Sequence, residues 1–407
     1  MNLVRVVGLG LGPQDLTPRA REAVAAAQVL AGGRRLLAMF PDHPGRRLTL
    51  AGGVDPWLEQ VAQAAETSEV VVLASGDPGF HGIAQRLAQR LGPDHLEILP
   101  GISSVQAAFA RLKLPWQDAA LVSLHGQEGQ GLWPALAARD VVAVLTDPAR
   151  DPAHLGRLLA ERGQAAYWRL WVCEDLGAPT ERVRSFSPDT AAAEKFSPLN
   201  LVVLERLARP RRLTLAAPEE AYVHQAGLIT KAEVRAVALG LLALAPGQTL
   251  WDLGAGSGAV GLEAGLLTAG GRVLAVEKDP ARREQIAANR QALGAGHLEI
   301  VAAELPAGLA ELPAPDRVFV GGGGDQLPAI LEVVGRRLAP GGVVVVSLVK
   351  LESLEAARRA LAQADMAAEV VQLNISRAAP LTGGMYLKAL NPVWLVRGTK
   401  PTAGGEA

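Results

Sequence analysis

A chain of 407 residues with 49% apolar side chains has the length for two or three domains with real cores. Its 40 basic and 41 acidic side chains leave a formal net charge of −1 with no block of like charge, which argues against nucleic acid or an anionic membrane as the main partner. The one cysteine, Cys173, excludes an intrachain disulfide and suits a reducing cytoplasm.

The chain start, Met1-Asn2-Leu3-Val4-Arg5-Val6-Val7-Gly8, reads as a first strand and not as a signal peptide. No apolar run approaches the ~20 residues of a membrane span, so a soluble cytoplasmic protein is expected. The strand at 4–7 opens into Gly8-Leu9-Gly10-Leu11-Gly12-Pro13, which is either a flexible turn or a ligand cradle. Helical character follows over 18–30, is broken by Gly32-Gly33-Arg34-Arg35, and returns over 56–65.

The run Val70–Ala74 suits a strand buried on both faces. It ends in Ser75-Gly76-Asp77-Pro78-Gly79-Phe80-His81-Gly82, before a helix over 83–91. Leu96–Leu99 likewise runs into Pro100-Gly101-Ile102-Ser103-Ser104 and an alanine-rich helix, and Val141–Leu145 runs into Thr146-Asp147-Pro148. Strands ending in small, polar or acidic turns are how an open α/β sheet presents ligand groups at its carboxyl edge.

Strands over 165–172 and 199–204, with no comparable helix between 188 and 204, predict an antiparallel close to this half. Cys173, beside the apolar run at 167–172, is expected to be a buried thiol. The stretch from Arg209-Pro210-Arg211-Arg212 to Ala216-Ala217-Pro218-Glu219-Glu220 is rich in proline and charge and marks the boundary. The expected domains are 1–209 and 210–400, with a disordered tail over 401–407.

In the second half, Thr230 and Glu233 have capping-box spacing for a helix over 231–244. Strand Thr249–Leu253 then meets Gly254-Ala255-Gly256-Ser257-Gly258 and a further helix. Gly256, Gly258 and Gly261 also satisfy the dinucleotide pattern, so the glycines alone are ambiguous. Asp252 helps to decide. A carboxylate ~4 Å from a pyrophosphate charge would repel it by ~4 kcal/mol at an effective dielectric of ~20. The ammonium and sulfonium of S-adenosylmethionine would instead be attracted.

Strand Arg272–Val276 ends in Glu277, about twenty residues past the glycines, where a carboxylate can bind the two ribose hydroxyls of an adenosine. A helix over 281–293, strands over 298–302 and Arg317–Val320, the run Gly321-Gly322-Gly323-Gly324-Asp325, and strands over 342–348, 369–375 and 386–396 complete the chain.

The first half resembles the tetrapyrrole methylase family through three segments: Gly8-Leu9-Gly10-Leu11-Gly12-Pro13, Ala74-Ser75-Gly76-Asp77-Pro78-Gly79-Phe80-His81-Gly82 and Pro100-Gly101-Ile102-Ser103-Ser104. Within it, Gly32-Gly33-Arg34-Arg35, Leu114-Pro115-Trp116-Gln117-Asp118 and Ser123-Leu124-His125-Gly126 resemble the cobalamin-pathway enzymes acting on carbon 5 of precorrin-6B. The second half resembles the decarboxylating methyltransferases acting on carbon 15. It does so through Ile229-Thr230-Lys231-Ala232-Glu233-Val234-Arg235, Trp251-Asp252-Leu253-Gly254-Ala255-Gly256-Ser257-Gly258 and Ala389-Leu390-Asn391-Pro392-Val393. There are departures. The family's Gly-Asp-Ala-Pro reads Ala303-Glu304-Leu305-Pro306, its Tyr in Gly-Asp-Pro-x-x-Tyr-Gly is His81, and its Gly-Gly-Ser-Gly-Gly is four glycines followed by Asp325.

The resemblance implies a two-lobed α/β tetrapyrrole methylase domain followed by a class I, Rossmann-like methyltransferase domain. It implies one S-adenosylmethionine site in each. The first would use Gly10, Gly76, Asp77, Gly79, Ser103, Ser104 and Thr146. The second would use Thr230, Asp252, Gly254, Gly256, Gly258, Glu277 and Glu304. The substrate implied is a tetrapyrrole, precorrin-6B, methylated twice and decarboxylated at an acetate side chain. The candidates to orient that carboxylate are Tyr222, His224, Lys231, Arg235 and Arg377; a guanidinium is the natural partner of a substrate rich in carboxylates. The seven histidines and one cysteine form no metal-ligand spacing, so no metal is expected. A homo-oligomer is expected. A nicotinamide oxidoreductase and a non-enzymatic tetrapyrrole-binding protein stand as alternatives.

Overall fold

The structure is a computed structural model that describes residues 1–80, 82–124, 131–225 and 227–402. The expectations placed on His81, on His125-Gly126 and on the tail after 402 lie outside the described residues.

Short β-branched runs form the first sheet: β1 (Val4–Gly8), β2 (Val29–Gly32), β3 (Arg46–Thr49), β4 (Val70–Ala74) and β5 (Leu96–Leu99). They pair wholly in parallel, in the order β3-β2-β4-β1-β5. Crossovers run through α1 (Pro18–Ala26), α2 (Arg34–Leu37), α3 (Val54–Ala65) and α4 (Ala84–Leu91). Every residue of β4 is buried, as a central strand covered on both faces requires. The helix expected over 18–30 stops at Ala26. Val29 pairs with both Val70 and Arg46, so sheet pairing overrides the helical pattern from there on.

The second sheet belongs to a second lobe, built from α5 (Ser104–Leu112), β6 (Ala120–Ser123), α6 (Leu132–Ala138), β7 (Val141–Leu145), α7 (Pro152–Glu161), β8 (Trp168–Glu174), β9 (Arg182–Phe186), α8 (Pro188–Ala192) and β10 (Asn200–Arg206). Its order is β6-β7-β10-β8-β9, and only β6 and β7 run parallel. The antiparallel close is as expected, although the strand placed at 165 begins at Trp168, after a 3-10 turn. Glu174 is fully buried here, and its carboxylate accepts from Arg182 at 3.0 Å, from Arg184 at 3.0 Å and from the Ser197 N–H at 2.9 Å.

The third sheet follows α9 (Ala232–Leu242). Its elements are β11 (Thr249–Leu253), α10 (Ala259–Ala264), β12 (Arg272–Val276), α11 (Pro280–Ala292), β13 (Leu298–Val301), β14 (Arg317–Val320), α12 (Leu327–Arg337), β15 (Val343–Leu348), α13 (Leu351–Gln363), β16 (Ala367–Leu373), β17 (Ser376–Leu381), β18 (Gly384–Ala389) and β19 (Val393–Thr399). The order is β13-β12-β11-β14-β15-β19-β16, and β19 alone runs against its neighbours, the Rossmann-like plan expected. The two late strands predicted resolve into four. β17 and β18 form a separate hairpin, turned at Gly383, that leaves the sheet with β18 exposed throughout.

The capping box predicted at Thr230 is absent: α9 begins at Ala232, and its N-cap Lys231 makes no side-chain cap. The Ala232 N–H instead donates to Glu219 Oε1 at 2.9 Å, a cap supplied from across the fold.

The third sheet packs against the second lobe. Arg162 donates to the Gly296 carbonyl at 3.1 Å and pairs with Glu299 at 3.3 Å, and Tyr167 donates to the Gln291 carbonyl at 2.8 Å. A β-carbon on Gly296 would come within 2.5 Å of Trp133. Among the described residues no helix is long and apolar enough to cross a membrane.

At the carboxyl edge of the first sheet three loops touch without room for a side chain. A β-carbon on Gly8 would lie 2.6 Å from both the Gly101 nitrogen and the Gly76 oxygen. Gly8→Ala should therefore destabilise the chain by about 1–3 kcal/mol through overpacking, read as a lowered urea midpoint. An unchanged midpoint would show that these loops part freely.

Candidate functional site

The loops after β1, β4 and β5 face the second lobe across a cavity of about 830 Å³. Gly10, Gly76, Asp77 and Ser103 line it from the first lobe, and Ser104, Ser123, Cys173 and Asn200 line it from the second. Gly10 and Gly76 exchange backbone hydrogen bonds of 3.3 and 3.1 Å and both hold positive φ, which lets two loops lie edge to edge. Asp77 Oδ1 accepts from the Gly79 N–H at 2.7 Å, so Gly79 braces the acid from outside the lining. Ser103 is the N-cap of α5 in a capping box with Gln106, which aims Ser104 at the cavity.

Thr146 does not reach the cavity. Its hydroxyl donates to Asn200 Oδ1 at 2.6 Å, and Asn200 is the residue presented. Sequence reasoning missed Asn200, which carries no motif, and missed Ser123 and Arg35 as lining residues although Ser123-Leu124-His125-Gly126 and Gly32-Gly33-Arg34-Arg35 drew notice. Cys173 meets the cavity at only 1% exposure, and burial pushes its thiol up to about 12, which favours the protonated form.

The second cavity, of about 950 Å³, opens at the carboxyl ends of β11, β14 and β15. Thr230, Lys231, Asp252, Gly254 and Gly256 line it. Gly258 does not; it backs onto α11, where a β-carbon would meet Ile286 at 2.9 Å. Asp252 is 1% exposed, and its Oδ2 accepts from the Gly261 N–H at 2.9 Å. Burial pushes its carboxyl up to about 7, with the nearby Glu277 adding to the rise. Glu277 is buried beside the cavity, where its oxygens accept from the Gly256 N–H at 2.9 Å and the Asp279 N–H at 3.0 Å. Each carboxylate oxygen keeps a further lone pair.

The structure places five more of the expected residues off the cavity lining. Tyr222 and Arg235 are core residues. The Tyr222 hydroxyl donates to Glu263 Oε1 at 2.7 Å and Arg235 Nε donates to the same oxygen at 2.9 Å, all three side chains being buried. Arg377 is already spent on two acids, Glu219 and Glu233, so it is not free for a substrate carboxylate. Glu304 is exposed outside the cavity and pairs with Lys278 at 3.1 Å. His224 stands off the lining, half-buried, with Nδ1 lacking a partner among the described residues. Of the five residues proposed to handle the carboxylate, Lys231 alone reaches the cavity. Arg282, Lys350 and Asn391 also line it; only Asn391 lay in a noticed motif.

Two unlike α/β frames, each with a cavity at its carboxyl edge and one with a buried acid beneath a glycine loop, define a two-domain enzyme of the methyltransferase class. The tetrapyrrole (corrin/porphyrin) methylases match residues 4–191, and the precorrin methyltransferase domain matches residues 220–400. A precorrin-6Y C(5,15)-methyltransferase [decarboxylating] from Sinorhizobium sp is 35% identical over 398 residues, 95% of this chain and 94% of that one. A cobalt-precorrin-7 C(5)-methyltransferase of Salmonella typhimurium is 37% identical over 50% of this chain and 99% of its own length. A Pyrobaculum aerophilum protein named "probable cobalt-precorrin-6B C(15)-methyltransferase (decarboxylating)" is 38% identical over 45% of this chain and 95% of its own. The chain belongs to the precorrin-6Y C(5,15)-methyltransferase (decarboxylating) family. That membership sets aside the nicotinamide-enzyme and non-enzymatic readings.

A carboxyl raised to about 7 in the fold, against ~3.9 in the unfolded chain, favours folding fully below ~4, and the benefit is lost as pH rises to 7. At pH 8 the buried charge costs roughly 4 kcal/mol. Asp252→Asn should therefore raise the unfolding midpoint at pH 8 by more than at pH 5.5. A pH-independent difference would show that Asp252 is not the titrating group.

Proposed function

We propose that the chain methylates precorrin-6B at C15 and removes the carboxyl of its ring C acetate in the second cavity, then methylates C5 in the first, giving precorrin-8. The carrying observation is Asp252: a buried carboxylate at the foot of a glycine loop repels a pyrophosphate and draws a cation. S-adenosylmethionine, when bound, supplies a methyl on a positively charged sulfur. The residues present fit it. Asp252 would face its cationic end, Gly254 and Gly256 would leave room for it, and Glu277 has lone pairs left for ribose hydroxyls. In the first cavity Gly10, Gly76, Asp77 and Ser104 would form the matching cradle. We divide the chain at 209/210, because β10 ends at Arg206 and the third sheet uses only strands after it.

No triad is needed. An electron-rich ring carbon would take the methyl in line, the C–C bond forming as the C–S bond breaks, with the sulfur leaving as a neutral thioether and the ring carbon then giving up a proton; alignment alone can supply about 7–11 kcal/mol. In the decarboxylation the C–C bond to the carboxyl breaks and its electron pair passes into the macrocycle. A proton then takes the vacated position, so no further cofactor is required. Lys231 is the cation placed to orient that carboxylate at the cavity wall. The names of two relatives support this order: a probable C15-methyltransferase is named for cobalt-precorrin-6B and a C5-methyltransferase for cobalt-precorrin-7.

With labelled donor and precorrin-6B, mass spectrometry should find two labels gained and one carbon dioxide lost. Asp77→Ala should stop after the C15 methyl and the decarboxylation. Asp252→Ala should fail on precorrin-6B yet still methylate precorrin-7 at C5. Failure of Asp252→Ala on both would sink the two-site assignment.

We further infer a cytoplasmic homo-oligomer, in a compartment that keeps Cys173 reduced. The hairpin β17–β18 carries Met385 and Leu387 on one face at 64% and 72% exposure, an apolar face suited to a second copy of the chain. Leu387→Glu with Met385→Lys should give a smaller species in sedimentation; an unchanged mass would remove the hairpin from the interface.

A further inference from the structure

Among the irregular stretches that line the second cavity, two flank α9 and the β17–β18 hairpin. One runs through Leu228, Ile229, Thr230 and Lys231, and the other through Leu390 and Asn391. Neither stretch has a strand ladder of its own, so each takes its position from what flanks it. The first leads into α9, whose leading N–H, at Ala232, is held by Glu219 at 2.9 Å. The second follows β18, which is paired with β17 so that Arg377 lies opposite Lys388, and the Leu390 N–H donates to the Ile375 carbonyl at 2.8 Å.

One side chain joins these supports. Arg377 donates from Nη1 and Nη2 to Glu219 at 2.7 and 3.0 Å, and from Nε and Nη2 to Glu233 at 2.8 and 2.6 Å. Two carboxylates thus share one planar guanidinium, each gripped in a fork that a lysine could not form. Glu219 is nearly buried, and Arg377 holds its carboxyl down at about 2, so the grip persists across the working pH range. Without the guanidinium, two acids would face each other at the root of both wall stretches, one of them with little access to water.

We propose that Arg377 is a positioning residue for the C15 reaction: with Glu219 and Glu233 it latches the base of the β17–β18 hairpin to the start of α9, and so holds both walls of the second cavity in register around the methyl donor. It does this without touching substrate. The proposal rests on the C15 chemistry lying in this cavity.

The test uses the full chain with Arg377→Gln, Arg377→Lys and Glu219→Gln. Carbon dioxide release from precorrin-6B reports the C15 half, and C5 methylation of precorrin-7 serves as the internal control. Arg377→Gln should raise the donor KM of the C15 reaction by about tenfold, with a smaller change in kcat and none in the C5 reaction. Arg377→Lys, which keeps a charge between the acids but loses the forks, should fall between it and wild type.

Glu219→Gln is the deciding variant. A latch loses function when either partner goes, so it should shift the donor KM in the same direction. If Arg377 instead gripped substrate, freeing it from Glu219 would leave activity unchanged or improved, and that result would overturn the proposal. So would a rise confined to the precorrin KM. If Arg377→Gln unfolds the second domain, seen as a lost thermal transition, Arg377→Lys and Glu219→Gln decide the matter between them. A wild-type chain that releases no carbon dioxide would defeat the functional reading itself, a separate outcome.

Discussion

A carboxylate shut off from water must be met by donors, and Glu263 is such a group. It is fully buried in the last turn of α10. Arg235 reaches it from α9 at 2.9 Å, the Tyr222 hydroxyl at 2.7 Å, and the N–H groups of Ala216 and Ala217 at 2.9 and 3.2 Å. Leaving such a charge unpaired would cost several kcal/mol, so these partners are bound to assemble together. Their assembly folds the interdomain stretch back onto α10, presses α9 alongside, and fixes the helix that the glycine loop opens. The cavity wall, the linker and the donor loop are thus positioned by the neutralisation of one buried charge.

The same constraint explains why conspicuous polar residues in this region are turned toward the protein itself. Arg235 also donates to the carbonyls of Thr230 and Ala217, so its guanidinium stitches backbone to backbone. Burial and the bond to Glu263 push the Tyr222 hydroxyl upward and keep it protonated. Asp252 is the contrasting case. It too is buried, but it has a single backbone donor and a cavity before it, and it is left wanting a cation. The two buried acids differ in how completely the protein itself answers them.

The two domains meet one requirement, a cradle at a carboxyl sheet edge, in two ways. In the third sheet β11 lies between β12 and β14, so the chain turns to opposite sides of β11 and leaves a crevice at that point. In the first domain the parallel sheet supplies only one side, and the second lobe supplies the other. Helix α6 belongs to both arrangements: Ala135 lines the first cavity, while Trp133 packs on Gly296 of the other domain.

Much of this was legible in the chain itself. Runs such as Val70–Ala74, Val141–Leu145 and Thr249–Leu253 became strands with the bounds expected, because β-branched residues between turn signals leave little else to form. The glycine loops and Asp252 also declared themselves, since close backbone approach and a well-placed acid are local properties. Pairing is not local. Val29 left its helical pattern for a sheet, and the cap of α9 came from Glu219, thirteen residues upstream.

Partner choice was equally out of reach. Arg377 and Glu304 looked like ligand groups by residue type, yet the fold gave one to Glu219 and Glu233 and left the other to Lys278 at the surface. The amino-acid sequence by itself determined the class of fold, the two glycine-rich cradles and the acid that favours a cationic ligand. The tertiary structure alone decided which charges were already answered and which were left for a ligand, because a side chain's freedom depends on neighbours brought from distant parts of the chain.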